Sequence, residues 1–321
     1  MDATPELPAG YRLRAPRPDE VSRVKRLTDE SDAALGSAPS LSEDMLRAFW
    51  SRPRFDLETD AWVVELDTAI VGYAEVWDAH PNRLWGFAVV HPVHTGRGIG
   101  TVLADRVEDR AAQKAEGDAR LFSIVLTQDT AGARLLEARG YGWARRFWNM
   151  DVDLGGELEP PVPPVGVRLR ALDPERDLPA AHRVVEVAFE DHWDFAPTSF
   201  EEFLDRDIRG EAFDPTLWVI AVDGEELVGV LSGEAHTERG WVNELGVLAS
   251  HRGRGIATAL LRESFLRFRD RGLPQARLNV DSENPTGAVG LYERVGMHAV
   301  VSYDLWAHAI VARVPDARSG S

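Results

Sequence analysis

The chain has 321 residues, of which 44% are apolar, with a formal charge of -17 and no cysteine. This length suits about two domains, and the missing cysteines exclude disulfides, thiolate metal sites and a cysteine nucleophile. The negative charge argues against a nucleic-acid partner, and the N-terminal region and apolar runs lack the patterns of a signal peptide or a membrane helix, so we expect a cytoplasmic protein without a membrane partner.

In chain order, the hydrophobic pattern predicts strands and amphipathic helices that alternate. The first half reads as an edge strand at 12–14, helical segments, and strands at 61–66, 70–77 and 84–90. A glycine-arginine turn, a helix at 102–113, a strand at 121–126, a helix at 132–139 and a closing strand follow. The second half repeats this order with strands at 217–222, 226–235, 241–248 and 276–281 and helices at 258–270 and 286–295.

The two halves also match residue by residue. Tyr11 to Ala15 (YRLRA) matches VRLRA 156 residues later, and GRGIG, from Gly96, matches GRGIA at a spacing of 157. Arg139-Gly140-Tyr141 then matches Val295-Gly296-Met297 at 156 again. Because the register slips by single residues only in turns, the chain is predicted to hold two copies of one domain.

The seam between the copies is expected in residues 155–166. This stretch reads GGELEPPVPPVG, and its four prolines and flanking glycines suit an extended linker. We therefore predict an N-terminal domain at 1–158 and a C-terminal domain at 159–321.

Each copy carries a glycine turn between a strand and a helix. In the second copy it reads Arg252-Gly253-Arg254-Gly255-Ile256-Ala257. The first amides of a helix lack intrahelical partners and attract anions, and glycine leaves the backbone uncovered. The turn therefore predicts a cradle for a diphosphate-sized anion, with Arg252 and Arg254 as charges at its rim. A glycine loop with solvent-facing arginines is the alternative.

The turn resembles the acetyl-coenzyme A signature of the GNAT N-acetyltransferases, Arg/Gln-x-x-Gly-x-Gly/Ala, at Arg252, Gly255 and Ala257. The resemblance covers nearly the whole chain, twice. It implies an α/β (α+β) fold of two tandem domains, each a mixed, mostly antiparallel sheet flanked by helices. It also implies acetyl-CoA as cosubstrate, no metal, and an acetyl group moved by direct transfer to a primary amine of a small molecule.

In this family the strand before the turn ends in a bulge and pairs with the pantetheine arm. The resemblance thus implies a bulge at Leu245-Gly246-Val247 and a set of coenzyme-binding residues in each copy. In the second copy these are Leu245, Gly246, Val247, Arg252, Gly253, Arg254, Gly255, Ile256, Ala257, Thr258 and Asn284; in the first copy they are Ala88, Val89, Val90, Gly96, Arg97, Gly98 and Gly100.

Two side chains of the second copy are the candidate catalysts. Tyr292 matches the family's general acid toward the coenzyme A sulfur, and Glu244, on the strand before the turn, is the candidate general base, acting directly or through water. Asn284 stands eight residues before Tyr292, which predicts both on one helical face. In parts of the family the acid sits three residues before Glu244, where this chain has Trp241. The structural alternatives are a core tyrosine and a solvent-facing carboxylate.

The first copy departs from this pattern. Where the second copy has Glu244, Arg252, Asn284 and Tyr292, the first copy has Phe87, Thr95, Gln128 and Leu136. Leucine cannot donate a proton, so the first domain is predicted to be non-catalytic while keeping a coenzyme cradle.

The acceptor site is expected in the helical region after the first strand of the second copy. Glu190, His192, Trp193 and Asp194 offer carboxylates and an aromatic face for a cationic amine, unless they form a solvated surface. The tandem arrangement is similar to the mycothiol synthases of the family, so a cysteinyl amine is an alternative acceptor. A non-catalytic protein that binds or senses acyl-CoA is an alternative of another class. We expect a monomer or a homodimer.

Overall fold

The computed structural model describes residues 6–52, 54–80, 82–190, 192–193, 195–210, 212–284 and 286–311. Contacts divide the chain into two compact units. The first unit holds residues 1–147 and 301–321, and the second unit holds residues 148–300. Within the described ranges, no helix is long and apolar enough to cross a membrane.

The first half of the chain follows the predicted order of strands and helices. Its strands are β1 (Tyr11–Arg14), β2 (Ala61–Leu66), β3 (Ala69–His80), β4 (Arg83–Val90), β5 (Asp118–Leu126) and β6 (Gly142–Asp153). Its helices are α1 (Val21–Ala34), α2 (Glu43–Trp50), α3 (Ile99–Lys114) and α4 (Thr130–Ala138).

The second half repeats the order, with one irregular segment. Its strands are β7 (Val167–Ala171), β8 (Val219–Asp223), β9 (Glu226–Ala235), β10 (Gly240–Val247), β11 (Gln275–Asp281) and β12 (His298–Val311). Its helices are α5 (Pro174–Phe189), α6 (Phe200–Phe203), α7 (Ile256–Asp270) and α8 (Ala288–Arg294). A π-helical turn, Leu204–Ile208, continues directly from α6.

Each unit contains a mixed, mostly antiparallel sheet, as the sequence predicts. In the first unit β1 to β4 pair antiparallel in order, β4 pairs parallel with β5, and β5 pairs antiparallel with β12. In the second unit β7 to β10 pair antiparallel in order and β10 pairs parallel with β11.

The closing strands are exchanged between the two halves of the sequence. Tyr303 to Val311 of β12 pair with β5 and belong to the first unit. Residues 148–153 of β6 belong to the second unit, where Asp151 accepts two hydrogen bonds from Arg277 of β11, at 2.6 and 2.8 Å. The expectation that each copy closes on its own last strand is therefore wrong. The repeat boundaries 1–158 and 159–321 stay a prediction.

Helices cover both faces of each sheet, and apolar side chains fill the layers between them. In the second unit, α5 and α6 cover one face, around Val184, Phe203 and Ile220. Helices α7 and α8 cover the other face, around Leu260 and Leu278. The strand edges that carry the candidate site lie between these two layers.

Candidate active site

Strands β10 and β11 separate partway along their length. Their parallel pairing joins Gly240 to Val242 with Ala276 to Leu278 and stops there. Beyond this point β10 continues to Val247, paired on its other side with β9. In the described chain, the β11-facing edge of β10 from residue 243 onward thus has no strand partner. We call this gap the strand opening; its backbone N–H and C=O groups can pair with an extended ligand.

A β-bulge introduces the strand opening, but at a position other than the predicted one. The register against β9 shifts between Val242 and Glu244, which leaves Asn243 as the extra residue. Leu245, Gly246 and Val247 pair regularly with β9. The prediction of a bulge at 245–247 is therefore wrong by two residues. A bulge increases local twist and bends the strand, and here it coincides with the point where β10 leaves β11.

The glycine turn has the backbone conformation that requires glycine. Gly253 and Gly255 have φ angles of +75° and +89°. A residue with a Cβ pays roughly 1–2 kcal/mol in this left-handed region. A Cβ built on either residue would meet no atom within 4 Å, so the space above the turn is open. The glycines thus serve the turn itself and leave its surface uncovered.

Helix α7 begins at Ile256 with its first amides free of a side-chain cap. Gly255 is the N-cap residue and makes no capping hydrogen bond. The amides of Ile256, Ala257 and Thr258 therefore lack the partners that a serine or aspartate cap would supply. Such a helix end favours a negatively charged group. The strand opening and this helix end together suit an extended ligand that ends in an anionic group.

Substituting Gly255 by alanine tests the role of this turn. The left-handed φ should cost the variant roughly 1–2 kcal/mol of unfolding free energy, measured by denaturant titration. We also expect acetyl-CoA to bind at least about tenfold more weakly by calorimetry, because the amides of the first helical turn shift.

Gly272→Ala is the matched control. Gly272 lies just beyond the other end of α7, with a φ of +78° and no atom within 4 Å of a built Cβ. It should lose similar stability but keep its affinity for acetyl-CoA. Equal losses of affinity in both variants would contradict a cradle at Gly255.

The two arginines of the turn already have protein partners. Arg252 donates to the carbonyl oxygens of Val247 and Ala188, both at 3.1 Å, and so ties the turn to β10 and α5. Arg254 donates to Asp223 at 2.9 Å. Arg252 therefore holds the turn in place. Its predicted contact with a bound anion stays a prediction, as does that of Arg254.

Tyr292 lies on α8, in the core layer that α7 and α8 form with the sheet. Its side chain is 9% exposed and packs in the same cluster as Val247 and Leu278. Burial raises the pKa of the Tyr292 phenol to about 12. A phenol with this pKa keeps its proton at neutral pH and is available to donate it to the sulfur as the C–S bond breaks.

Asn284 does not share a helical face with Tyr292, so that prediction is wrong. Helix α8 begins only at Ala288, with Gly287 as its N-cap in the left-handed region. Asn284 lies in the turn before it, where its side-chain oxygen accepts a hydrogen bond from the amide of Thr286 at 2.8 Å. An asparagine that bonds the backbone two residues on favours a turn over a helix.

Glu244 follows the bulge directly and carries a partly unsatisfied carboxylate. Its side chain is 18% exposed. Oε1 accepts a hydrogen bond from Arg206 at 3.0 Å, whereas Oε2 is buried and has no hydrogen-bond partner among the described residues. Desolvation, aided by the carboxylates of Asp207 and Glu186 and opposed by Arg206, raises the pKa of Glu244 to about 7. A general base with a pKa near the working pH is well matched to its task.

The charged neighbours of Glu244 were missed by the sequence analysis. Arg206 and Asp207 lie in the π-helical turn after α6, and Glu186 lies on α5. π-Helical turns are rare in proteins as a whole, but those that occur are often found at functional sites. In the sequence, the only signal is the alternation of charges in LDRDIR (204–209), which is also typical of a solvated surface.

The predicted acceptor residues lie at the end of α5 and in the loop that follows. Glu190 is the C-cap residue of α5. The His192 ring packs on Phe189 with 4.4 Å between ring centroids, and Trp193 follows it in the loop. Asp194 lies outside the described residues. The groups that act on Glu244 are instead Glu186, Arg206 and Asp207, so contact between the predicted cluster and an acceptor stays a prediction.

The first unit repeats the backbone features of this site. Pairing between β4 and β5 stops at Gly86 and Ser123, and α3 begins at Ile99 with no side-chain cap. Gly96 and Gly98 have φ angles of +71° and +82°. Arg97 donates to the Tyr11 hydroxyl at 3.2 Å. Ala88, Val89 and Val90 pair regularly with β3, with no bulge among them, and Gly100 lies in the first turn of α3.

The first unit does hold a buried carboxylate, which the sequence analysis overlooked. Glu75 of β3 pairs across from Phe87, the residue that matches Glu244. Both of its oxygens are bonded, to Arg52 at 3.3 Å and to the Tyr73 hydroxyl at 2.5 Å. The Arg52 guanidinium lies 4.1 Å from the ring centroid of Phe49, which fixes it further. Glu75 therefore lacks the free oxygen that Glu244 has.

The chain belongs to the acetyltransferase (GNAT) family, whose model matches residues 26–141 and 182–297. The mycothiol acetyltransferase of Thermobispora bispora is 31% identical over 293 residues, 87% of this chain and 92% of its own. That of Thermomonospora curvata is 33% identical over 285 residues, 86% and 90% of the two chains. With the family match, these relatives identify the chain as a tandem N-acetyltransferase.

Solved structures show the same architecture. The crystal structure of a GCN5-related N-acetyltransferase from Sphaerobacter thermophilus is 32% identical, with a TM-score of 0.84, and the match covers 96% of this chain and 98% of that one. A tandem GNAT protein from the clavulanic acid biosynthesis pathway is 18% identical, with a TM-score of 0.67 over 93% and 98% of the two chains. The second likeness shows the fold alone.

Proposed function

We propose that the protein transfers an acetyl group from acetyl-CoA to a primary amine of a small molecule, and that the second unit carries out the chemistry. The observation that carries this proposal is the Glu244 carboxylate at the point where β10 leaves β11, with one buried oxygen that has no hydrogen-bond partner among the described residues. Desolvation raises the pKa of this carboxyl to about 7. Glu75, the buried carboxylate that pairs across from Phe87 in the first unit, has both oxygens bonded.

In the proposed reaction, Glu244 takes a proton from the acceptor's ammonium group, directly or through one water. The neutral nitrogen attacks the thioester carbonyl carbon, the new C–N bond forms and the C–S bond breaks. Tyr292 gives its phenolic proton to the departing sulfur and takes up the second proton that the nitrogen loses, and Glu244 releases the first proton to solvent. One acetyl group moves, coenzyme A leaves as the thiol, and no oxidant or reductant is needed.

The coenzyme would lie along the strand opening and end at the glycine turn. The β11-facing backbone of Leu245, Gly246 and Val247 can bond the pantetheine amides. The free amides of Ile256, Ala257 and Thr258, with Gly253 and Gly255 bare above the turn, can hold the pyrophosphate. Asn284, in the turn between β11 and α8, is a further candidate contact for the coenzyme.

The first domain is proposed to be non-catalytic. It has the separated strands and the uncapped helix end of a coenzyme cradle. At the position of Tyr292, however, it has Leu136, whose side chain is 8% exposed in the core and has no proton to give. Coenzyme binding in this unit would therefore be structural or regulatory.

A cysteinyl amine is the second candidate acceptor, favoured by the names of the relatives at about 30% identity. A panel of amines tests the acceptor class by release of the coenzyme A thiol. It should contain a cysteinyl amide of glucosaminyl-inositol, the same compound without its cysteinyl group, simple alkylamines, and a peptide N-terminus. Release with the first compound alone supports the cysteinyl acceptor, and release with several supports a broader one. Acetyl-CoA binding without release for any amine would favour the binding or sensing protein.

A further inference from the structure

We propose that Arg206 and Asp207 are positioning residues that orient the Glu244 carboxylate and balance its charge. The proposal rests on the function proposed above, in which Glu244 is the general base. It concerns two residues of the π-helical turn that follows α6, Leu204–Ile208.

One guanidinium bridges the two carboxylates. Arg206 Nη2 lies 2.7 Å from Asp207 Oδ2 and 3.0 Å from Glu244 Oε1, and Arg206 Nε lies 2.9 Å from Asp207 Oδ1. Asp207 thus holds the planar guanidinium along its Nε–Nη2 edge, and Nη2 also donates to Glu244. Because Oε1 is bonded in this way, the carboxylate is fixed with Oε2 as its free oxygen.

The π-helical turn accounts for this placement. In an α-helix, successive residues point about 100° apart around the axis. A π-helical turn adds one residue to the ring that each backbone hydrogen bond closes, and so changes which side chains face the sheet. Here it brings the guanidinium of Arg206 to Glu244 of β10, while the side chain of Asp207 remains 20% exposed beside it.

The charges around Glu244 act in opposite directions. Asp207 and Glu186 raise the pKa of the Glu244 carboxyl, and Arg206 lowers it. Glu186, on α5, also accepts a hydrogen bond from the amide of Thr198 at 3.0 Å and lies 3.9 Å from the His182 ring nitrogen. On the neighbouring strand β9, Glu244 faces the uncharged Ser232. Arg206 is therefore the one cation among the groups that shift the titration of Glu244.

Two substitutions should shift the titration of Glu244 in opposite directions. In Arg206→Gln the Glu244 carboxylate loses its neighbouring cation. The acidic limb of the pH profile of kcat/KM should therefore move to higher pH by about one unit or more. Asp207→Asn removes a carboxylate and should move the limb to lower pH. Arg206→Lys keeps the charge without the planar fork, so it should restore the position of the limb but not the full kcat. A purely structural role would lower activity without moving the limb.

Arg209→Gln is the matched control. Arg209 follows in the same segment with the same 52% side-chain exposure as Arg206, but it pairs with Glu201 and Asp205. It should leave the limb where it is. Shifts in one common direction for Arg206→Gln and Asp207→Asn, or no shift in either, would overturn the proposal.

A direct titration separates this proposal from the proposed function. Infrared difference spectra of protein with labelled glutamate, taken with and without Glu244→Gln, report the Glu244 carboxylate without any turnover. If the titration of Glu244 shifts in opposite directions in Arg206→Gln and Asp207→Asn, but the protein acetylates no amine, the charge balance is supported and the proposed acetyl transfer is refuted. Unchanged titration in an active enzyme would refute the charge balance alone.

Discussion

Replacing Tyr292 by phenylalanine should lower kcat for acetyl transfer by about 10² to 10⁴-fold, the usual contribution of a positioned acid or base. The substitution removes one hydroxyl from a side chain that is 9% exposed in the core of the second unit. Burial raises the pKa of this phenol to about 12, so the wild-type side chain enters each turnover protonated. Without it, the thiolate must leave unprotonated or wait for water.

The measurement is the steady-state release of coenzyme A, together with calorimetry of acetyl-CoA. Binding should stay within about threefold of the wild type, because the ring and its packing remain. Leu136→Met, at the matching position of the first copy, changes a similarly buried side chain and should leave kcat unaltered. If Tyr292→Phe keeps its full kcat, the tyrosine is only a core residue.

Replacing Glu244 by glutamine should lower kcat/KM by a comparable 10² to 10⁴-fold at neutral pH. Glutamine has nearly the same shape and can still accept the hydrogen bond from Arg206, but it cannot take a proton. Since Oε2 of Glu244 has no partner in the described chain, no other hydrogen bond is broken by the change. The loss should therefore appear in activity rather than in unfolding free energy.

The pH profile gives this prediction its sign. The pKa of Glu244 is raised to about 7, so the basic form dominates above pH 7 and declines below it. Wild-type kcat/KM should fall about tenfold per unit as the pH drops below 7. In Glu244→Gln this limb should disappear from the residual activity. Glu234→Gln, on the neighbouring strand, is the control and should keep the wild-type limb; a limb that survives in Glu244→Gln assigns it to another group.

Much of the fold follows from patterns within the sequence. The match of VRLRA to YRLRA and of GRGIA to GRGIG predicted two copies of one domain. The alternation of apolar residues predicted the strands of each sheet. The glycine turn was predictable because left-handed φ angles and an uncapped helix start both favour glycine at Gly253 and Gly255. These are local requirements, which leave a local trace in the sequence.

The exchange of closing strands left no such trace. Residues 303–311 and 148–153 alternate in a way that suits either unit, and the partner of a strand depends on contacts distant in sequence. The bulge was likewise predicted at the wrong residues, since one extra residue, Asn243, hardly changes the apolar pattern of the strand. Asn284 was predicted to share a helical face with Tyr292 because their spacing of eight residues suits two helical turns. The same sequence also suits a turn at Asn284 that precedes the helix.

The surroundings of the candidate base were beyond the sequence for the same reason. Arg206 reaches Glu244 across 38 residues through a π-helical turn, and charged residues in a short segment usually face solvent. Glu75 was overlooked because only its fold position, across from Phe87, relates it to Glu244.

Transfer of a mass-labelled acetyl group from acetyl-CoA to the amine panel, followed by mass spectrometry, tests whether Tyr292 and Glu244 carry out the chemistry. Wild-type protein and the double variant Tyr292→Phe/Glu244→Gln are compared at equal saturation with acetyl-CoA. We expect a labelled N-acetyl product from the wild type and its near absence from the double variant, with acetyl-CoA still bound. Undiminished transfer by the double variant would place the chemistry outside this site.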